Sequence, residues 1–182
     1  PLAEQKKIAS ILTSVDQVIE KTESEISKLQ DLKKGMMQQL LTQGIGHTQF
    51  KDSPVGKIPV GWEVMVLSTL SDKIGDGLHA TPKYVESSDY HFINGNNLSN
   101  GEIVFNATTK NVPESEYRKH FIQLGDNSIL ISINGTIGNI AKYRNESVIL
   151  GKSAGYINLK KSSQIDYIFY LLQSQKISDY FT

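Results

Sequence analysis

Two glycine-rich segments carry the polar side chains best suited to contact a ligand in this 182-residue chain. They are GDGLHATPKY at residues 75–84 and SINGTIGN at residues 132–139. Glycine at this density allows tight turns and a close approach of the backbone to another surface. Both segments therefore qualify as binding loops. Their candidate contact residues are His79, Thr81, Lys83, Tyr84, Asn134 and Thr136.

Each segment also has a purely structural interpretation. Asn134-Gly135 is a typical hairpin turn between strands expected at residues 129–133 and 137–141, and residues 75–84 fit a plain surface loop. Asparagine can bond adenine bidentately in the major groove, which adds Asn96 to the candidates, but asparagine is also common in turns. Both interpretations stay open for these loops.

Charge is balanced globally, with 19 basic and 19 acidic side chains, so net charge does not indicate a nucleic-acid partner. Residues 110–161, however, hold eight basic and four acidic side chains. Such a local excess suits phosphate contacts, although solvated strand faces explain many lysines equally well. The candidates for DNA contact from this stretch are Lys110, Arg118, Lys119, Lys142, Arg144 and Lys152.

Catalytic and metal-binding patterns are absent from the sequence. There are no cysteines, and the four histidines lack zinc-ligand spacing. No phosphate-binding GxxxxGK[ST] loop and no aromatic-Pro-Pro methyltransferase motif occurs. We therefore expect a non-catalytic binding protein that holds no cofactor and no metal. Without an 18-residue apolar run or a signal-peptide core, the expected location is the cytoplasm, away from membranes.

The first 43 residues contain none of these candidate contact residues. Their pattern predicts a long helix with an apolar stripe. The stripe follows the heptad spacing of a coiled coil, and over 33 residues the helix extends roughly 50 Å. It cannot bury the stripe against itself, so we expect it to pair with another helix. The helix-pairing residues are Ile8, Leu12, Val15, Ile19, Ile26, Leu29, Met36 and Leu40.

The rest of the chain predicts a connector at residues 44–61, rich in glycine and proline, and a domain at residues 62–182. Period-two patterns predict strands at 62–66, 91–94, 102–105, 128–133, 139–143, 147–150 and 155–159. Helical patterns appear at 114–120 and 166–181. The predicted fold class is α+β, a long coiled-coil-type helix followed by a curled, mostly antiparallel sheet with short helices. We also expect this sequence to be a fragment of a longer protein, because it starts and stops inside helical patterns.

Several segments, in this order, resemble the specificity subunit of type I restriction–modification systems. They are PLAEQKKI (1–8), FKDSPVGKIPVGWE (50–63), GLHATPKY (77–84), FINGNNL (92–98), NGTIGN (134–139), GKSAG (151–155) and the helix at 167–181. By this resemblance, residues 1–43 are a conserved spacer helix, and residues 62–182 are a target recognition domain that lacks its final strands.

The resemblance implies a specific role. A specificity subunit reads one half of a two-part site in double-stranded DNA through each recognition domain and has no catalytic activity. It holds the methyltransferase (M) subunits and, through the complex, the restriction and translocase (R) subunits, which carry AdoMet, ATP and Mg²⁺. The resemblance also implies that the motif residues shared by such domains mostly support the fold and do not read the DNA sequence. The spacer helix then pairs with a second spacer helix or self-associates with the same helix of another copy.

Two other functional classes remain open. The chain could be a non-catalytic coiled-coil assembly protein whose β domain binds protein partners, which an absence of salt-sensitive DNA binding would favour. An enzyme with a hidden site is the other alternative, and activity of the pure protein with a metal or AdoMet would favour it.

Overall fold

The computed structural model describes residues 1–135 and 137–179, and they form two compact units. The first unit comprises residues 1–52 and 57–60. The second comprises residues 53–56 and the described residues from Gly61 onward.

A single helix, α1 (Leu2–Gln43), dominates the first unit. It ends where the sequence predicts, because Gly44 adopts a positive φ of 68° and its N–H caps the carbonyl of Leu40. Two short strands, β1 (Phe50–Lys51) and β2 (Ile58–Pro59), pair antiparallel in the same unit.

The apolar stripe of α1 is open to solvent along its whole length. No residue of the helix is buried, and the eight helix-pairing side chains are between 41% and 63% exposed. Thr22 is a polar residue at one of the heptad positions that form the centre, or seam, of the stripe. Its hydroxyl donates to the carbonyl of Val18 within the same helix. The seam therefore presents an almost uninterrupted apolar surface.

The second unit is built on a four-stranded sheet in the order β3-β11-β8-β9, and every pairing in it is antiparallel. Its strands are β3 (Ser71–Asp76), β8 (Ser128–Ser132), β9 (Ile140–Lys142) and β11 (Ala154–Leu159). The β8–β9 pairing, with Ile131 opposite Ile140, confirms the predicted hairpin. Gly135 and Gly138 adopt positive φ in its turn, which explains the glycines there.

A smaller three-stranded sheet, in the order β10-β4-β7, packs beside it. Its strands are β4 (His91–Ile93), β7 (Lys110–Asn111) and β10 (Val148–Leu150), and β10 pairs parallel with β4. A two-stranded ladder joins β5 (Leu98–Ser99) and β6 (Glu102–Ile103). The helices are α2 (Glu114–Lys119), α3 (Ile165–Leu172) and α4 (Gln175–Ser178).

The two faces of the four-stranded sheet bury separate cores. Leu130 and Tyr156 face one core, together with Ile93 of β4 and Leu98 of β5. On the other face, Ile129, Ile131 and Ile157 pack with Ile168 and Phe169 of α3. This alternation confirms the α+β fold class and the mostly antiparallel sheet.

Three sequence-based predictions of local structure need correction. Residues 62–66 form no strand: Val64, Met65 and Val66 are exposed, and the chain leads directly into a 3-10 turn at Leu67–Leu70. The single helix predicted at 166–181 is instead two helices, α3 and α4, with Gln173 and Ser174 between them. The predicted Phe181 lies outside the described residues. The predicted strand at 102–105 ends at Ile103.

Candidate nucleic-acid interface

Four loops of the second unit meet at one place, which we call the loop junction: residues 77–79, 94–97, 133–135 with 137–139, and 151–153. They approach closely because three glycines stand at the crossings. A Cβ atom on Gly77 would lie closer than 3.0 Å to the carbonyl oxygen of Leu150. On Gly95 it would collide with the hydroxyl of Ser132, and on Gly151 with the amide of Asn94.

Backbone hydrogen bonds fasten these loops to one another. The N–H of Leu78 donates to Leu150 O at 2.7 Å, and that of Gly151 donates to Ile93 O at 2.8 Å. Ser153 is central, because its carbonyl accepts from the N–H of Ile133 at 3.0 Å. Its hydroxyl donates to Asn94 Oδ1 and accepts from the N–H of Gly95, both at 3.0 Å. The glycines and Ser153 therefore have a structural role, which is to hold the loops together.

Exposed polar side chains project from the outer edge of the loop junction. A parallel bridge between Leu78 and Gly151 places His79 beside Lys152. Asn134 is next, since its side-chain nitrogen lies 3.4 Å from the carbonyl of Lys152. Asn96 follows Gly95 in the fourth loop and is also exposed. The structure thus brings four predicted contact residues together at the loop junction, a set that we call the row; Thr136, predicted with them, lies outside the described residues.

Asp76, which is not among the predicted contact residues, pairs with His79 of this row. Its Oδ2 lies 2.5 Å from His79 Nε2. The hydrogen bond from His79 is the main cause that lowers the pKa of the Asp76 carboxyl below its usual range. Asp76 thus keeps its negative charge beside the row. The signal available in the sequence was an acid three residues before a histidine.

The remaining residues of the first motif lead from the loop junction toward α2. Thr81 and Lys83 are exposed, and the N–H of Lys83 lies 3.4 Å from a carboxylate oxygen of Glu116. The ring of Tyr84 has its centroid 6.1 Å from that of Phe92, whose ring also borders Gly151. Lys110 on β7 and Lys119 at the end of α2 are exposed as well.

Three predicted basic contacts are engaged in ion pairs within the second unit. Arg118 binds Glu114 with contacts of 2.6 and 2.9 Å, which lowers the pKa of Glu114 chiefly through that hydrogen bond. Arg144 binds Glu102 at 2.8 Å, and Lys142 binds Asp166 beside the Phe169 ring. Of the predicted phosphate contacts, Lys152 is the one that stands in the row at the loop junction.

Within residues 1–135 and 137–179, no group of three or more acidic or histidine side chains is arranged to hold a metal ion. The helices of that same part of the chain are not long and apolar enough to cross a membrane.

Comparison with known proteins matches residues 59–181 to the family model of the type I restriction modification DNA specificity domain. The chain is 34% identical, over 96% of its length, to the type I restriction enzyme MjaVIII specificity subunit of Methanocaldococcus jannaschii. It is 32% identical, over 94% of its length, to a protein of the same organism named as the MjaX specificity subunit.

The fold has a counterpart among solved structures. The crystal structure of the HsdS subunit from Thermoanaerobacter tengcongensis matches 98% of the chain with a TM-score of 0.57 at 16% sequence identity. At that identity the likeness concerns the fold alone. The chain covers 43% and 40% of the two relatives from M. jannaschii and 42% of the solved HsdS chain.

Proposed function

The chain belongs to the family of type I restriction modification DNA specificity domains, and from this premise we propose that it binds double-stranded DNA. The second unit is then a target recognition domain that reads one half of a two-part DNA site. The chain acts in the cytoplasm, where its DNA target is accessible.

The row of exposed polar side chains at the loop junction is the observation that carries this proposal. His79, Lys152, Asn134 and Asn96 come from four loops that glycines draw together. A cationic side chain beside amides and an imidazole supplies both types of contact that DNA binding needs, one to phosphate and the others to base edges. Thr81, Lys83, Tyr84, Lys110 and Lys119 extend the surface.

The long helix α1 supplies the second part of the function. Its striped part, from Ile8 to Leu40, is a stiff rod of roughly 50 Å that can fix the distance between two recognition domains and thus between two half-sites. Its open stripe requires a partner helix, either a second spacer helix or α1 of another copy. Ile11, Val18 and Leu32 widen the exposed apolar surface beyond the seam, and we propose that this side docks the methyltransferase subunits.

In this proposal the chain carries no cofactor. AdoMet belongs to the methyltransferase subunits, and ATP and Mg²⁺ belong to the restriction subunits that join through the complex. The chain itself selects the DNA sequence and holds the partners.

The DNA-binding proposal predicts a defined electrostatic role for Lys152. Replacing Lys152 with alanine should weaken binding to all duplexes alike and lower the slope of log K against log salt by about one, because one phosphate contact is lost. The slope is measured by fluorescence anisotropy with a random-sequence duplex between 50 and 200 mM salt, a range over which each phosphate contact accounts for about a 3.5-fold loss of affinity.

Lys161→Ala is the matched control, since it removes the same charge from an exposed lysine beyond the opposite end of β11. It should leave the slope unchanged. Equal slopes for Lys152→Ala and the unchanged chain would contradict the placement of the phosphate contact at the loop junction.

The absence of catalysis is a separate prediction. With AdoMet present, the purified chain should transfer no methyl group to DNA above a boiled control, and it should not cut DNA with Mg²⁺ and ATP. Incorporation of tritium from labelled AdoMet measures the first reaction. Activity should appear once a methyltransferase subunit that recognises this chain is added. Methyl transfer by the chain alone would contradict the non-catalytic assignment.

A further inference from the structure

His91, a partly buried histidine at the start of β4, is held in place by neighbours outside the loop junction. Its Nδ1 lies 2.9 Å from Oδ1 of Asn111, the residue directly opposite on β7. Its ring packs against Phe105, with 4.5 Å between the ring centroids. Two independent contacts, one polar and one aromatic, therefore fix the orientation of the imidazole.

The hydrogen-bond network also assigns the proton on this ring. The side-chain nitrogen of Asn111 donates to the carbonyl of Glu86 at 2.8 Å, so its amide oxygen faces His91. An amide oxygen can only accept, and Nδ1 must therefore carry the hydrogen. Nε2 has no partner in the described part of the chain, yet it is not among the buried unsatisfied atoms there. In the uncharged ring, Nε2 is thus a solvent-accessible acceptor.

An exposed apolar ring lies beside His91. Phe105 is 44% exposed. The loop that carries Phe105 is anchored to the loop junction, because the side chain of Asn97 donates to Val104 O and Thr109 Oγ1 at 3.0 and 2.9 Å. An acceptor and an apolar ring thus lie together, and the loop that carries the ring is supported by the loop junction.

We propose that His91 reads a base in the major groove: its Nε2 accepts a hydrogen bond from the exocyclic amino group of adenine or cytosine, and Asn111 is the positioning residue that fixes the ring. These amino groups are the donors that bases present in that groove, and Phe105 can contact a neighbouring thymine methyl group. This inference rests on the proposed function, since it requires that the second unit bind DNA.

The test is a selection from a randomised duplex library with the full chain at pH 8. His91→Phe keeps an aromatic ring against Phe105 but removes both nitrogens. We expect it to lose about tenfold preference at one base pair of the selected motif while the other positions stay unchanged. Asn111→Leu should weaken the same position. The control His120→Phe, the same substitution at a half-buried histidine directly after α2, should keep the whole motif.

Two further measurements identify the contact. Replacing the adenine or cytosine at that position with an analogue lacking the amino group should cost the unchanged chain about tenfold and cost His91→Phe nothing. Long-range ¹H–¹⁵N spectra of the free chain should show the Nδ1-protonated tautomer of His91, and Asn111→Leu should abolish that preference.

The outcomes separate the two proposals. A motif that His91→Phe leaves intact, or an equal loss of binding to every duplex, would overturn this inference while the proposed function stands. If the unchanged chain enriches no sequence and shows no salt-dependent binding, the proposed function fails and the inference fails with it.

Discussion

Replacing both Ile19 and Ile26 with aspartate is expected to convert the chain from a self-associated form to a monomer. These side chains stand seven residues apart on the exposed seam of α1. Each buried isoleucine contributes about 1.5–3 kcal/mol to an interface. Losing two from each helix of a pair should therefore weaken association by about 6 kcal/mol or more, which is over four orders of magnitude in Kd.

Sedimentation velocity at tens of micromolar measures the change. The control variant replaces Gln17 and Ser24 with aspartate, which adds the same two charges at the same spacing outside the apolar seam. It should remain associated, and both variants should keep the circular-dichroism spectrum of a folded second unit. An unchanged chain that sediments as a monomer at this concentration would contradict a pairing role for the stripe.

Replacing Gly77 with alanine is expected to destabilise the second unit by about 2–4 kcal/mol. The added methyl group would collide with the backbone of Leu150 and Gly151 rather than with a movable side chain. Relieving that collision costs typically about 1–3 kcal/mol and occasionally more. It also displaces Leu78, whose N–H bond to Leu150 is worth about another 1 kcal/mol.

Urea unfolding followed by the single tryptophan, Trp62, gives the free energy of unfolding. Gly61→Ala is the control, because a Cβ atom at Gly61 meets nothing within 4 Å. That variant should change stability by less than about 0.5 kcal/mol. A loss below about 1 kcal/mol for Gly77→Ala would show that the loop crossing is looser than the structure indicates.

Local patterns were enough to predict the long helix and its end. The heptad spacing is a repeated signal over many turns, and Gly44 stops the helix at the expected place. The β8–β9 hairpin was equally predictable, because Asn134-Gly135 lies between two apolar runs. Such features depend on near neighbours in the sequence.

Features that depend on distant partners were missed or misjudged. β3 has one apolar residue, Ile74, and is an edge strand held by backbone bonds to β11, so its sequence shows no strand pattern. Residues 62–66 show the alternation but have no strand to pair with. The break before α4 falls at Ser174, where no glycine or proline marks it.

The candidate site was predictable from the sequence only in part. Glycine density located the loops, but the structure was needed to bring His79, Lys152, Asn134 and Asn96 together. Local composition could not reveal the carboxylate partners of Lys142 and Arg144, whereas Glu114 and Arg118 stand at the (i, i+4) spacing that pairs side chains on a helix. The partners of Lys142 and Arg144 lie 24 and 42 residues away in sequence.

The most direct test of the central claim is the affinity of the purified, unchanged chain for a random-sequence DNA duplex at several salt concentrations. Recognition through phosphate and base contacts predicts binding at 50 mM salt that weakens steeply toward 200 mM, with log K falling linearly against log salt. No binding at low salt, or an affinity that does not change with salt, would contradict DNA recognition by this chain.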